Sequence, residues 1–281
     1  MLSVDPSARP SGGPHTRARL ATDLSGLGVR PGDLLFVQAS LRSLGPVAGG
    51  PATVVGALLD ALGGPPDGTL VAYTATPENS DTSRLAAALT EGLSPAEAEA
   101  HRTRMPAFDP ARTPSSPTMG ALSEVIRTTP GARRSNHPQT SFAAVGPLAR
   151  EVTRTHDLDC HLGQASPLGR LHELGAKVLL LGVPLARFTA FHLADLRMPD
   201  LRRRRYGCVV QDGSGGGRWV HFEAPELDDL HFPALGEALL REGAGLRRGP
   251  VGDADALLVP MAEAVAVATR SLLRDRSPQP V

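Results

Sequence analysis

The chain has 281 residues and 41% hydrophobic content, enough to bury the core of one large domain. Its 29 basic and 29 acidic residues cancel, which argues against a dedicated nucleic-acid surface, since such domains are usually strongly basic. The longest apolar stretches, such as residues 177–183, fall far short of the roughly 20 residues that span a bilayer, so no membrane role is expected.

Residues 1–15 are rich in Pro, Gly and Ser and lack an apolar segment. They read as a loose tail and not a secretion signal, leaving residues 16–281 as a single cytoplasmic domain. A helical pattern through Leu20 and Leu24, a turn at Arg30-Pro-Gly-Asp33 and the apolar run 34–37 then predict helix, turn and strand. Residues 49–62 carry Pro just inside their start and Gly63-Gly64 just past their end, as a helix does. The β-rich stretch 68–74 completes a β-α-β unit, so an open α/β architecture follows, with sites near the carboxyl ends of the strands.

Between residues 77 and 119 the pattern breaks into two short helical patches, 83–89 and 94–104, among Pro-rich loops. Long irregular segments inside compact domains tend to be functional, and this one reads as an inserted substrate lid. A helix over 120–127, a polar segment 133–141, a strand over 142–145 and helices near 147–155 and 167–174 come next. They lead to the strand 177–183, whose unbroken apolar run suits a sheet covered on both faces. A hairpin over 206–211 and 219–222 and two amphipathic helices, 229–241 and 254–273, close the chain. The fold class expected is α/β: a central mixed sheet flanked by helices, with an inserted helical and loop lid and a C-terminal hairpin plus helices.

Cys160 and Cys208 have no ligand spacing, so neither a disulfide framework nor a metal site is expected. Polar groups gather where strands end: Gln38-Ala-Ser-Leu-Arg42, Arg133-Arg-Ser-Asn-His-Pro138 through Ser141, and Thr189-Ala-Phe-His-Leu-Ala-Asp195. A sheet brings such segments to one edge, where hydroxyls, N–H groups and arginines can hold a phosphorylated ligand. His192 has a side chain that titrates near neutrality and suits proton removal, and Asp195 lies three residues on, nearly on the same helical face. From spacing alone His192 reads equally well as a packed or capping residue.

The ordered set Leu35-Phe-Val-Gln-Ala-Ser-Leu-Arg42, Leu44-Gly-Pro-Val-Ala-Gly-Gly50, Phe108-Asp-Pro110, Arg134-Ser-Asn-His-Pro138, Ser141-Phe-Ala-Ala-Val-Gly146, Ser166-Pro167 and Thr189-Ala-Phe-His-Leu-Ala-Asp195 resembles the aminoglycoside 3-N-acetyltransferase family. The resemblance covers most of the chain. It implies an α/β fold distinct from the GCN5-related acetyltransferases, acetyl-CoA or another acyl-CoA as donor without a metal, and transfer to an amine of an aminoglycoside or related aminosugar. It shifts His192 toward general base, with Asp195 orienting the ring or holding the acceptor. Ser40, Leu41, Arg42, Val47, Arg134, Ser135, His137 and Ser141 become candidates for the CoA side. Tyr73, Glu78, Asp109, Glu124 and Asp195 become candidates for the acceptor side.

Two positions depart from the family's pattern: Gln38 stands where members commonly have His, and Asp195 where they have Glu. With the neutral net charge, these keep open a less cationic amine in secondary-metabolite biosynthesis. A catalytically silent CoA-binding protein is the third reading, and retention of His192 counts against it.

Overall fold

The computed structural model describes residues 13–242 and 245–276. The β-α-β unit forms as its residues predict. Helix α1 (Arg17–Leu27) is capped by the Thr16 hydroxyl and ends at Gly28, whose φ of 117° relieves the chain of a Cβ penalty at the turn. Strand β1 (Leu34–Ala39), helix α2 (Gly50–Ala61) and strand β2 (Thr69–Tyr73) follow, with β1 and β2 parallel. The inserted segment holds α3 (Arg84–Thr90) and α4 (Pro95–Arg104), then a 3-10 turn over Pro117–Met119 that runs into α5 (Ala121–Thr128). The short strand β3 (Arg133–Arg134) pairs antiparallel with β4 (Phe142–Val145), which in turn runs antiparallel to β2. Helices α6 (Ala149–Thr153) and α7 (Pro167–Glu173) lead into β5 (Lys177–Leu181), parallel to β1.

Beyond β5, a 3-10 turn (Leu185–Arg187) and the short helix α8 (Phe191–Asp195) precede a two-stranded hairpin, β6 (Arg203–Gln211) and β7 (Gly217–Pro225). Helix α9 (Phe232–Glu242) comes next. Residues 254–260, expected to begin a helix, instead form β9 (Ala254–Pro260), which pairs with β8 (Arg247–Val251) and with β5 before α10 (Met261–Arg276) starts. The reason is tertiary. Ala256 and Leu258 pack into the core on one face of the sheet and Val259 into the core on the other, and this two-sided burial outweighs the helical propensity of Ala and Leu.

The seven-stranded sheet runs β3-β4-β2-β1-β5-β9-β8. Alternate strand residues divide between its two faces. Phe36, Val178 and Leu180 join the core beneath α6 to α10, while Leu35, Val37, Leu179 and Leu181 join the core beneath α1, α2 and α5. The tail expected over residues 1–15 lies outside the described residues as far as residue 12. His15 corrects the rest of it: its N–H donates to Pro46 O at 2.8 Å and its Nε2 lies 2.9 Å from Asp253. The inserted segment is fastened to the hairpin. Asn79 exchanges two hydrogen bonds with the backbone of Val209, at 2.7 and 3.0 Å, and Phe108 forms a bridge with Val210. Among the described residues, no helix is long and apolar enough to cross a membrane.

Candidate active site

The parallel strands β1, β2 and β5 all end on one edge of the sheet. Gly182 closes β5 there with φ 62°, and a Cβ at that position would fall 2.3 Å from Ser43 Cβ, so only glycine lets β5 run against the turn that follows β1. Gln38, the penultimate residue of β1, clamps the segment after β5: its Nε2 donates to Arg187 O at 2.7 Å and its Oε1 accepts from Thr189 N at 3.1 Å. This anchor sets the start of α8. Phe191, Leu193 and Ala194 are buried in the core, which turns His192 toward the strand ends, where its ring packs edge-on against Phe232 at 4.7 Å.

Two cavities meet at His192. The first, about 600 Å³, lies over the ends of β1 and β2 and is lined by Gln38, Ala39, Tyr73, Val183, Arg187 and Thr189, among others. The second, about 560 Å³, runs between the inserted segment and the hairpin, and Tyr206, His161, Glu226, Asp228 and Asp229 line it. Tyr73, Thr118, Met119, Arg187, His192 and Asp229 border both.

His192 Nδ1 is buried with no hydrogen-bond partner among the described residues. Burial pushes the pKa of the ring down to about 4, opposed by the negative charges of Asp229 and Asp228 and reinforced by His231. The ring is therefore neutral at pH 7, with its basic form available. Asp195 is buried and lies 3.3 Å from His231 Nε2. The carboxylates whose charge is felt at His192 are Asp229 and Asp228, which precede α9 because the helix begins only at Phe232, whose N–H donates to Asp229 O at 3.1 Å.

The turn carrying Ser40, Leu41, Arg42 and Val47 directly follows Ala39 of the first cavity. Arg42 is exposed; Leu41 and Val47 are partly buried against the core, and Ser40 accepts from the Ser43 hydroxyl at 3.1 Å. The second cofactor segment is placed differently. Ser135, His137 and Ser141 are each 0% exposed, and their polar atoms bond the chain itself. The Ser135 hydroxyl lies 3.0 Å from His156 Nδ1 and accepts from Phe142 N. His137 Nδ1 accepts from Gln139 N and Thr140 N at 3.1 Å, and its Nε2 lies 3.2 Å from Leu158 O. Arg134 donates to Ser141 Oγ at 2.9 Å, to Thr74 O at 2.6 Å and to Thr113 O, and burial lowers its pKa to about 10. Through these bonds the segment ties β4 to β2 and to residues 77–119.

Of the acceptor-side candidates, Tyr73 borders both cavities, with burial raising its pKa. Glu78, Asp109 and Glu124 lie away from His192. Glu78 accepts from the Ser116 hydroxyl at 2.5 Å and faces a separate cavity within the inserted segment. Asp109 accepts from Ala111 N at 2.8 Å in a local turn. Glu124 is held by Arg127 at 2.6 Å and by Ser115, and the Arg127 hydrogen bond brings its pKa to about 2. Sequence reasoning does not single out Glu226, Asp228, Asp229 or His161. The acidic run Glu226-Leu-Asp-Asp229 after the hairpin is the available signal for the first three, and periodicity places its last residue at a helix start.

A model of the family described as aminoglycoside 3-N-acetyltransferase matches residues 36–273. The chain is similar to aminoglycoside N(3)-acetyltransferase III of Serratia marcescens, at 42% identity over 73% of this chain and 74% of that protein. Among solved structures, it resembles the YokD protein from Bacillus subtilis, with TM-score 0.87 and 31% identity over 96% of this chain and 97% of that one. It also resembles AAC-IIIb in binary complex with CoASH, with TM-score 0.80 and 33% identity over 95% of this chain and 100% of that one.

Proposed function

This chain belongs to the aminoglycoside 3-N-acetyltransferase family, and on that premise we propose that it acetylates the 3-amino group of an aminoglycoside or related aminosugar by direct attack, with His192 as general base. It is an acyl-CoA-dependent N-acyltransferase, and acetyl-CoA is its donor. The observation that carries the mechanism is the position of a neutral, buried imidazole where two cavities meet.

The donor occupies the first cavity, with its phosphates toward the exposed Arg42 and toward Arg187, which in the ligand-free chain lies 3.9 Å from Asp229 and is drawn from it by the phosphates. The acceptor occupies the second, where Glu226, Asp228 and Asp229 pair with its ammonium groups. Only the neutral amine is a nucleophile. As its nitrogen bonds to the thioester carbonyl carbon, His192 takes the proton that the nitrogen sheds, the C–S bond breaks, and the departing thiolate receives a proton to leave as CoASH. Gln38 supports the reaction as a positioning residue, since it holds the segment that leads into α8.

A neutral chain gives no long-range pull on a polycation, and the three carboxylates share the cavity with Arg84, Arg187 and Arg204, so a cationic acceptor binds by taking Glu226 and Asp229 from Arg204 and Arg187, which lie 3.5 and 3.9 Å from them, and by pairing with Asp228. Thiol release from acetyl-CoA across a panel of aminoglycosides tests the proposal. Release that depends on an aminoglycoside is expected; silence across the panel with CoA still bound would overturn it.

A further inference from the structure

His137, His156 and His161 form a column of rings, with His137 centroids 4.5 Å from His156 and 4.8 Å from His161. In two of them both nitrogens are used by the chain. His137 accepts two backbone N–H groups at Nδ1 and reaches Leu158 O with Nε2. His156 reaches the carbonyl of His161 with Nε2 at 2.8 Å and the Ser135 hydroxyl with Nδ1 at 3.0 Å.

His161 differs. It is 3% exposed, lines the second cavity, and packs against Tyr206 with ring centroids 4.5 Å apart. The single proton of the Thr140 hydroxyl goes to the carbonyl of His161 at 3.1 Å or to His137 Nδ1 at 3.2 Å, and in either case its oxygen can accept from His161 Nδ1 at 3.5 Å. That arrangement suits the tautomer with the proton on Nδ1, in which Nε2 is an acceptor. Nε2 has no partner among the described residues. Burial, with His156 and His192 nearby, pushes the ring's pKa down to about 3, so it stays neutral beside a cationic ligand.

We propose that His161 Nε2 is a specificity-determining group that accepts a hydrogen bond from an N–H or O–H of the amine acceptor. The inference rests on the reading of the second cavity as the acceptor site. Carboxylates attract any cation of the right size, whereas a single buried lone pair demands a donor at one position. An acceptor without that donor leaves the nitrogen unmatched, and sites of this kind discriminate far more strongly than apolar ones. A buried nitrogen left unmatched by its own chain is a cost to the ligand-free protein, and binding removes it.

The test uses the full chain with His161→Phe and His161→Gln. Phe keeps the ring's packing and removes the acceptor; Gln keeps an acceptor. His161→Phe is expected to raise KM for the aminoglycoside at least about tenfold, with kcat and CoA affinity little changed and with ligand-free Tm equal to or above wild type. His161→Gln should recover part of the KM. Calorimetry of aminoglycoside binding gives the same division without turnover. Unchanged KM and affinity in His161→Phe, or a lowered Tm with a matching loss of kcat, would overturn the assignment. Wild-type enzyme that turns over no amine strikes the reading of the cavity, whereas normal wild-type turnover with an unaffected His161→Phe strikes His161 alone.

Discussion

Two polar clusters sit at the same end of the sheet and are built from similar residues. Around Arg134, Ser135, His137 and Ser141 the polar atoms meet partners from neighbouring segments, and the cluster binds β4, β2 and the inserted segment into one unit. Around His192 the matching stops: Nδ1 of that ring and Nε2 of His161 are buried without partners among the described residues, and three carboxylates line the adjoining cavity. A satisfied network stabilises. Buried atoms without partners also occur at Gln139 Oε1, Asp81 Oδ1 and Arg170 Nε, and what sets His192 and His161 apart from Asp81 and Arg170 under the proposed function is that both border the same cavity, as Gln139 does.

The largest effect should come from breaking the unsatisfied cluster. His192→Ala is expected to lower kcat at least about 100-fold, the low end of general-base contributions, with CoA affinity by calorimetry unchanged. The matching change in the satisfied cluster, Arg134→Met, should cost about 1–3 kcal/mol in urea unfolding, since it strands the carbonyl of Thr113 and leaves Thr74 O with the Ser141 hydroxyl as its remaining side-chain donor, while kcat per folded enzyme stays within about threefold. Equal loss of kcat in both variants would dissolve the distinction.

Protonation sharpens it. His156, His161 and His192 have folded pKa values near 4, 3 and 4, below the ordinary 6.5, so the unfolded chain binds more protons as pH falls through 6.5. Their contribution is fully present above that value and declines toward pH 4. Unfolding free energy should drop by about 2 kcal/mol from these three groups together between pH 7 and pH 6. A flat profile would show that the rings are charged or solvated. On the acceptor side, Asp228→Asn with Asp229→Asn should raise KM for a cationic acceptor about tenfold with a smaller change in kcat, checked by steady-state thiol release. Ser141→Ala, smallest of all, should cost about 1 kcal/mol and leave KM unaltered.

Much of this was legible in the residues. The β-α-β unit, the two short helices between residues 77 and 119, the hairpin and the strand expected over 177–183, which ends at Leu181, follow from periodicity and turn chemistry. The hairpin of β8 and β9 was not legible, because Arg247-Arg-Gly-Pro-Val251 has little strand character and an Ala-rich β9 reads locally as helix; pairing with β5 decides it. The segment 133–141 is ambiguous for the opposite reason. A serine, histidine or arginine at a strand end looks the same in sequence whether its partner is a ligand or the backbone of Thr74. Asp229 was hidden in a helix start, and His161 had no motif to mark it.

Imidazole rescue of His192→Ala tests the general-base account most directly, because the cavity beside the missing ring has about 600 Å³ to receive the added base. With acetyl-CoA and aminoglycoside both bound, the account predicts a depressed single-turnover rate that climbs with imidazole concentration. A variant that turns over at near wild-type rate without imidazole, or one whose rate ignores imidazole while both ligands remain bound, would contradict it.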